Sequence, residues 1–234
     1  MKKLNKDNIA NNNIPKAHFI TFEGGEGVGK STQAKMLMKN LTNIGISATT
    51  TREPGGTPKA EAIREFILSG KSEQWGVNAE AILFACARLN HVNDFIAPNL
   101  KYGRWVISDR FHDSTRAYQG LTGGVDEKLI GVLEKLALNS YQPDLTILLD
   151  MDAKEAFERV AKRENEFDDN LPDRFEKEEL TWHEKLRKGF LEIAKNNPNR
   201  IIVIDASLDA DKLAKSVWNA VRQKFPKETL GVSV

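Results

Sequence analysis

Gly24-Gly25-Glu26-Gly27-Val28-Gly29-Lys30-Ser31 carries the clearest chemistry in the chain. The spacing is Gly-x-x-x-x-Gly-Lys-Ser, between the apolar run Phe19–Phe22 and a helical pattern, which is the context a phosphate-binding loop requires. Glycines let the backbone curl so that successive N–H groups point at phosphate oxygens. Lys30 supplies a point charge for β- and γ-phosphates, the Ser31 hydroxyl can ligate Mg²⁺, and Thr32 continues the helix whose N-terminus adds its positive dipole end. These residues imply a bound nucleoside triphosphate.

Other polar groups stand where apolar runs stop. Arg52-Glu53-Pro54-Gly55-Gly56-Thr57 reads either as a tight turn or as a rigid backbone able to approach a ligand closely. Asp109-Arg110 follows Trp105–Ser108. Here an aspartate can hold Mg²⁺ and an arginine can clamp phosphate in a fork. Neighbours on an extended strand point to opposite faces, so a simple Asp109–Arg110 pair is disfavoured. Asp150, at the end of Leu145–Leu149, competes for the metal role, and Arg110 tips the choice toward Asp109. After it, Asp113–Gly120 offers Thr115, Tyr118 and Gln119, neutral groups that suit a base or sugar edge, although a capped helix turn reads the same way.

These groups must be held by a scaffold. Strand patterns at Phe19–Phe22, Ile46–Thr51, Trp105–Ser108, Leu145–Leu149 and Ile201–Ile204 each suit a strand buried on both faces. Between them lie helical patterns near Ser31–Asn43, Lys59–Leu68, Asn78–Leu100, Glu127–Asn139, Lys154–Lys162, Glu176–Asn196 and Asp211–Lys224. Such alternation predicts an α/β fold with a five-stranded parallel sheet flanked by helices. Ligands gather beyond the carboxyl ends of such strands. Along Asn78–Leu100, about 100° per residue places Ala79, Ile82, Cys86, Leu89 and Ile96 on a core-facing stripe. Phe84, Arg88, His91 and Phe95 fall opposite. Phe84 and Arg88, one turn apart, either stack a base and bind phosphate or pack under a neighbouring helix. His91 reads as structural or solvated rather than catalytic. The charged stretch Arg159–Arg174 is either a solvated helix end or a lid that delivers arginine to a phosphoryl group.

Composition bounds the rest. With Lys+Arg 34 against Asp+Glu 33, a net charge of +1 and 40% hydrophobic residues, no basic excess points to nucleic acid or a membrane surface. The single cysteine, Cys86, excludes an intrachain disulfide and fits a cytoplasmic protein. No apolar stretch approaches the ~20 residues of a membrane helix. The expected organisation is an N-terminal extension over 1–16, rich in lysine and asparagine, then one domain over 17–225 with the lid near 159–176, and a C-terminal tail over 226–234.

These motifs in this order resemble the thymidylate kinases. The resemblance is carried by Phe22-Glu23-Gly24-Gly25-Glu26-Gly27-Val28-Gly29-Lys30-Ser31, Thr51–Thr57, Phe84–Arg88, Asp109-Arg110, Ala117–Gly120 and Pro143–Thr146, over about His18–Arg222. It implies a P-loop NTPase fold of the nucleoside monophosphate kinase kind and transfer of the ATP γ-phosphoryl group to dTMP. It also implies homodimers. By resemblance, Phe84 stacks on thymine, and Arg88 bonds the base and approaches the monophosphate. Arg52 positions that phosphate, and Glu53 supports the sugar and the Mg²⁺ side. Pro54 and Gly55 close the site, Thr115, Tyr118 and Gln119 line the nucleoside pocket, Asp109 orients the Mg²⁺–phosphate cluster and Arg110 bridges the two phosphates. Gly25–Val28 contains no basic residue, as in members that carry their mobile cation in the lid, so Arg163 and Arg174 become the candidates. The Glu164–Pro172 connection is longer than the usual one and leaves open which of the two reaches the phosphate.

Overall fold

The computed structural model describes residues 15–166, 175 and 178–229, with side chains for all of these except 162–166. Five parallel strands form one sheet: β1 Phe19–Glu23, β2 Ala48–Arg52, β3 Trp105–Asp109, β4 Leu145–Asp150 and β5 Ile201–Asp205, in the order β2-β3-β1-β4-β5. Every strand pair is parallel, so each connection crosses over through helix. The helices are α1 Lys30–Asn43, α2 Pro58–Leu68, α3 Gly76–His91, α4 Ala97–Lys101, α5 His112–Thr115, α6 Glu127–Leu138, α7 Ala153–Glu166, α8 Leu180–Asn196, α9 Ala210–Lys224 and α10 Pro226–Thr229.

β1, β3 and β4 occupy the middle of the sheet, and Phe19, Ile20, Phe22, Val106, Ile107, Leu145 and Ile147 are buried there. α1 and α9 cover one face through Leu37, Leu41, Leu213, Val217 and Val221. On the other face Leu148 and Ile201 pack with Leu186, Phe190 and Ile193 of α8. The expectation of strands buried on both faces holds for the central three. It fails for β2, whose residues are all partly or fully exposed, and for β5, where Val203 is exposed, because these are the sheet edges.

Two further expectations are corrected. The helical pattern Asn78–Leu100 is interrupted by a π turn over Val92–Ile96, before Pro98. The wider turn shifts the helical phase beyond it, so Ile96 is buried whereas Ile82 is 50% exposed and Cys86 is exposed. The face turned inward on α3 is the one that carries Phe84, Arg88 and His91. The anticipated tail also begins with structure: Pro226–Thr229 forms α10, where Thr229 is buried and Glu228 lies 3.2 Å from the His18 ring. Residues 1–14 of the expected 1–16 extension, the end of the chain over 230–234 and Arg174 lie outside the described residues.

Candidate active site

Strand register brings the polar ends together. Arg52 is level with Asp109 across β2 and β3, and Asp109 with Phe22 across β3 and β1. Beyond them opens a cleft of about 940 Å³, at the upper end for small-molecule sites and so large enough for more than one small ligand. One wall is the phosphate loop, and the other is built by α2, α3 and the segment after β3.

The loop takes its shape from Gly24, Gly27 and Gly29, with φ of 138°, 72° and 92°. These are values that side chains resist. Gly27 is also pressed from behind, since a Cβ there would stand 2.5 Å from the Ala156 carbonyl of α7. Val28 turns into the core at 2% exposure, so only its backbone faces the loop's interior. Gly29 precedes α1, whose first N–H groups remain free to point at an anion. Lys30 is buried and donates to the carbonyls of Gly24 and Gly25. Burial and the neighbouring Arg110 charge hold its ammonium below the ordinary lysine range. Ser31 and Thr32 also line the cleft.

Asp109 is the last residue of β3 and Arg110 lies beyond the strand, and the two side chains take different partners around one cleft. The Ser31 hydroxyl donates to the Asp109 carboxylate. A hydroxyl beside a carboxylate at the mouth of a phosphate loop is a fitting donor set for Mg²⁺, which completes its shell with phosphate oxygens and water. Asp150, the competing carboxylate, is taken by Arg187 in a fork of 2.8 and 2.9 Å. Arg110 sits in the left-handed region at φ 68°. Its guanidinium donates to Gly24 O at 3.0 Å, to the Ser114 hydroxyl at 3.2 Å and to Glu26 at 2.6 Å, and lies 5.0 Å from the Tyr118 ring centre. Glu26 also accepts from the Tyr118 hydroxyl at 2.8 Å. Burial alone would raise the Glu26 pKa, but the charges of Arg110 and Lys30 more than offset it and hold the group down at about 2. Glu26 thus connects the loop to the opposite wall, a placement its position inside the loop motif does not announce.

On that opposite wall Phe84 packs with Tyr118 and Phe175 and also faces the cleft. Phe95 instead packs against the Phe19 and Val106 cluster, so of these two aromatic residues it is Phe84 that lines the cleft. Arg88 is buried and donates to Glu53 at 2.7 Å, to the Phe111 carbonyl at 3.1 Å and to the Thr115 hydroxyl at 3.0 Å. Gln119 donates to Glu80 at 2.8 Å. Arg52 reaches Glu61 at 3.0 Å, and Gly55, at φ 137°, lies against the same Glu61 carboxylate. Glu53 lines the cleft with Ser31 and Asp109, and its two oxygens accept from Arg88 and His91, which makes it a brace for Arg88. Pro54 presents its carbonyl to Arg64 at 2.9 Å.

Sequence reasoning passed over several residues here. Glu23 is buried beneath the loop and accepts from the Phe111 and Ser114 N–H groups and the Ser114 hydroxyl. Burial first, then the charge of Asp113, raises its pKa to about 7. Its place at the end of β1 was the available signal. Phe175 is buried against Tyr118 and Trp182, and Arg64 and Ser114 line the cleft. Arg159 also lines it and is anchored to the Ala206 and Ser207 carbonyls at 3.1 and 3.2 Å. Arg163 belongs to α7, but its side chain lies outside the described residues.

The thymidylate kinase family model matches residues 22–217. A thymidylate kinase of Bradyrhizobium diazoefficiens is 44% identical over 219 residues, covering 94% of this chain and 95% of its own. One of Nitrobacter hamburgensis is 46% identical over 209 residues, covering 89% and 90%. The crystal structure of thymidylate kinase from Ehrlichia chaffeensis superposes with a TM-score of 0.70 at 33% identity, covering 89% of this chain and 99% of that one. With a phosphate loop and an opposite wall framing one cleft, and relatives that match over nearly the whole length, the chain belongs to the thymidylate kinase family.

Proposed function

We propose that the cleft is a two-nucleotide site in which the ATP γ-phosphoryl group passes to the 5′-phosphate of dTMP, giving dTDP. Family membership supports the reaction. The observation that carries the assignment of parts is Arg110, which touches the phosphate loop through Gly24 and Glu26 and the acceptor wall through Ser114 and Tyr118. A guanidinium at that seam reaches phosphates bound on either side.

The acceptor oxygen is already anionic, so catalysis is alignment and charge neutralisation rather than proton abstraction. Gly24–Gly29, Lys30, Ser31 and Thr32 hold the donor phosphates. Arg110 stabilises charge on the transferring group, joined by Arg163 or Arg174 from the lid. Phe84 offers its ring to the base, Arg88, Thr115, Tyr118 and Gln119 frame the nucleoside, and Arg52, Pro54 and Gly55 close over its phosphate. Mg²⁺ would be held by Ser31 and Asp109 and would neutralise the phosphate oxygens. A homodimer is supported by apolar exposure on neighbouring helices: Ile82 on α3, with Val132 and Leu136 of α6 at 64% and 61%. Among the described residues no helix is long and apolar enough to cross a membrane; we assign the protein to the cytoplasm.

Measuring ADP release with dTMP, dUMP, UMP, CMP, AMP and GMP tests this assignment. The highest kcat/KM is expected with dTMP. Preference for a purine or cytosine monophosphate would overturn it.

A further inference from the structure

None of the roles above uses His91. Its imidazole is completely buried at the end of α3, one turn past Arg88. Nδ1 lies 2.9 Å from Glu53 Oε1, and Nε2 lies 2.7 Å from Thr51 Oγ1. An ionised carboxylate only accepts, so Nδ1–H donates to Glu53, and in the neutral ring the Thr51 hydroxyl then donates to Nε2. The other oxygen of the same carboxylate, Oε2, accepts from Arg88 Nε at 2.7 Å. An unbroken chain therefore runs from Thr51 on the edge strand through His91 and Glu53 to Arg88 on the acceptor wall.

The same ring shapes the turn after Glu53. A Cβ on Gly56 would stand 2.5 Å from His91 Nε2 and 2.5 Å from Thr51 Oγ1, and Gly56 has φ 83°. The Pro54–Gly56 segment passes this closely over the imidazole only because Gly56 carries no side chain.

We infer that His91 is a positioning residue for the pyrimidine monophosphate: it fixes Glu53, through Glu53 it orients the Arg88 guanidinium, and it forms the floor of the Pro54–Gly56 turn. This rests on the assignment of Arg88 to the acceptor. No hydrogen bond of His91 reaches the phosphate loop, so its loss acts on acceptor binding and spares the donor. Removing an oriented contact to a buried charged group corresponds to roughly a tenfold or greater effect.

The test is steady-state kinetics of the full chain with dTMP and ATP varied in turn, for His91→Leu, His91→Asn, Arg88→Ala and the double variant His91→Leu/Arg88→Ala. The Asn amide places a donor where Nδ1 stood. His91→Leu should raise KM for dTMP roughly tenfold or more while KM for ATP stays within about twofold, and His91→Asn should recover most of the loss. In the Arg88→Ala background, His91→Leu should change KM for dTMP less than about twofold, since both act through one guanidinium. Additive effects, or equal rises for both nucleotides, overturn the inference while leaving the acceptor role of Arg88 standing. If Arg88→Ala leaves KM for dTMP unchanged, the acceptor assignment itself falls and takes the inference with it. Should His91→Leu fail to fold, Thr51→Val carries the test: a several-fold rise in KM for dTMP alone is expected, and no change overturns the inference.

Discussion

Arg110→Ala separates the two jobs proposed for this one side chain. The first is catalytic. Removing a preorganised donor aimed at developing charge typically lowers turnover by about 10²–10³. The second is structural. Arg110 and Glu26 are only 15% and 18% exposed and 2.6 Å apart, and Arg110 is the strongest influence that offsets burial at Glu26. The Glu26 pKa is depressed from 4.5 to about 2, so its contribution to stability is present above pH 4.5 and lost as pH falls through 2. At about 1.4 kcal/mol per unit, that contribution is at most about 3 kcal/mol. Deleting Arg110 forfeits much of it, about 1–3 kcal/mol, and leaves a partly buried carboxylate with Lys30 and Tyr118 alone. For a domain of this size the melting temperature should fall by roughly 2–10 °C at pH 7.5. Arg110→Ala/Glu26→Gln removes both charges and should recover most of that stability but none of the turnover. Coupled ADP-release kinetics and thermal denaturation on the same preparations read the two effects. Turnover of the single variant within about threefold of wild type would refute the catalytic role. A double variant that regains activity together with stability would show that Arg110 acts only as a structural counter-ion.

Two other predictions are independent of that one. Glu23 has its pKa raised from 4.5 to about 7, so between those values the folded chain holds a proton the unfolded chain has released. Relative to Glu23→Gln, wild-type stability should be greatest below pH 4.5, decline by about 3 kcal/mol through pH 7 and then level off, as followed by denaturant midpoints at successive pH values. A difference that grows with pH would contradict the burial argument. Leu136→Glu on the exposed face of α6 should convert a homodimer to monomer in sedimentation velocity with little change in melting temperature. A wild type that sediments as a monomer would rule the homodimer out.

The donor half of the site was legible because a short contiguous motif carries its own geometry: Gly24, Gly27 and Gly29 adopt the left-handed or open φ values that their spacing implies. The Phe84–Arg88 pair was legible as neighbours one helical turn apart, but its inward direction was not. The stripe containing Ile82 and Cys86 is equally apolar, and periodicity cannot tell a face packed in the core from one left for another surface. The π turn over Val92–Ile96 then broke the phase for Ile96. Strand patterns located all five strands but not the edges, since β2 becomes an edge only through its pairing with β3 alone. The bracing role of Glu53 was not legible, because nothing local reveals that His91, 38 positions away, and Arg88, 35 away, close on its two oxygens. Asp109 and Asp150 competed as strand-terminal carboxylates with only Arg110 to favour Asp109, and their different partners, Ser31 and Arg187, became visible only in the fold.

The seat of the phosphate loop has a consequence for how its substitutions are to be read. Added side-chain atoms at Gly24 and Gly27 would collide first with the carbonyls of Leu149 on β4 and Ala156 on α7. The loop is braced from behind by finished secondary structure, so its ordering entropy is settled during folding and little remains to be spent when a nucleotide arrives. Substitutions at these two glycines should therefore behave as folding lesions first and as binding lesions second. Gly25, with open space around its missing Cβ, is the position where an affinity change reports on the ligand itself.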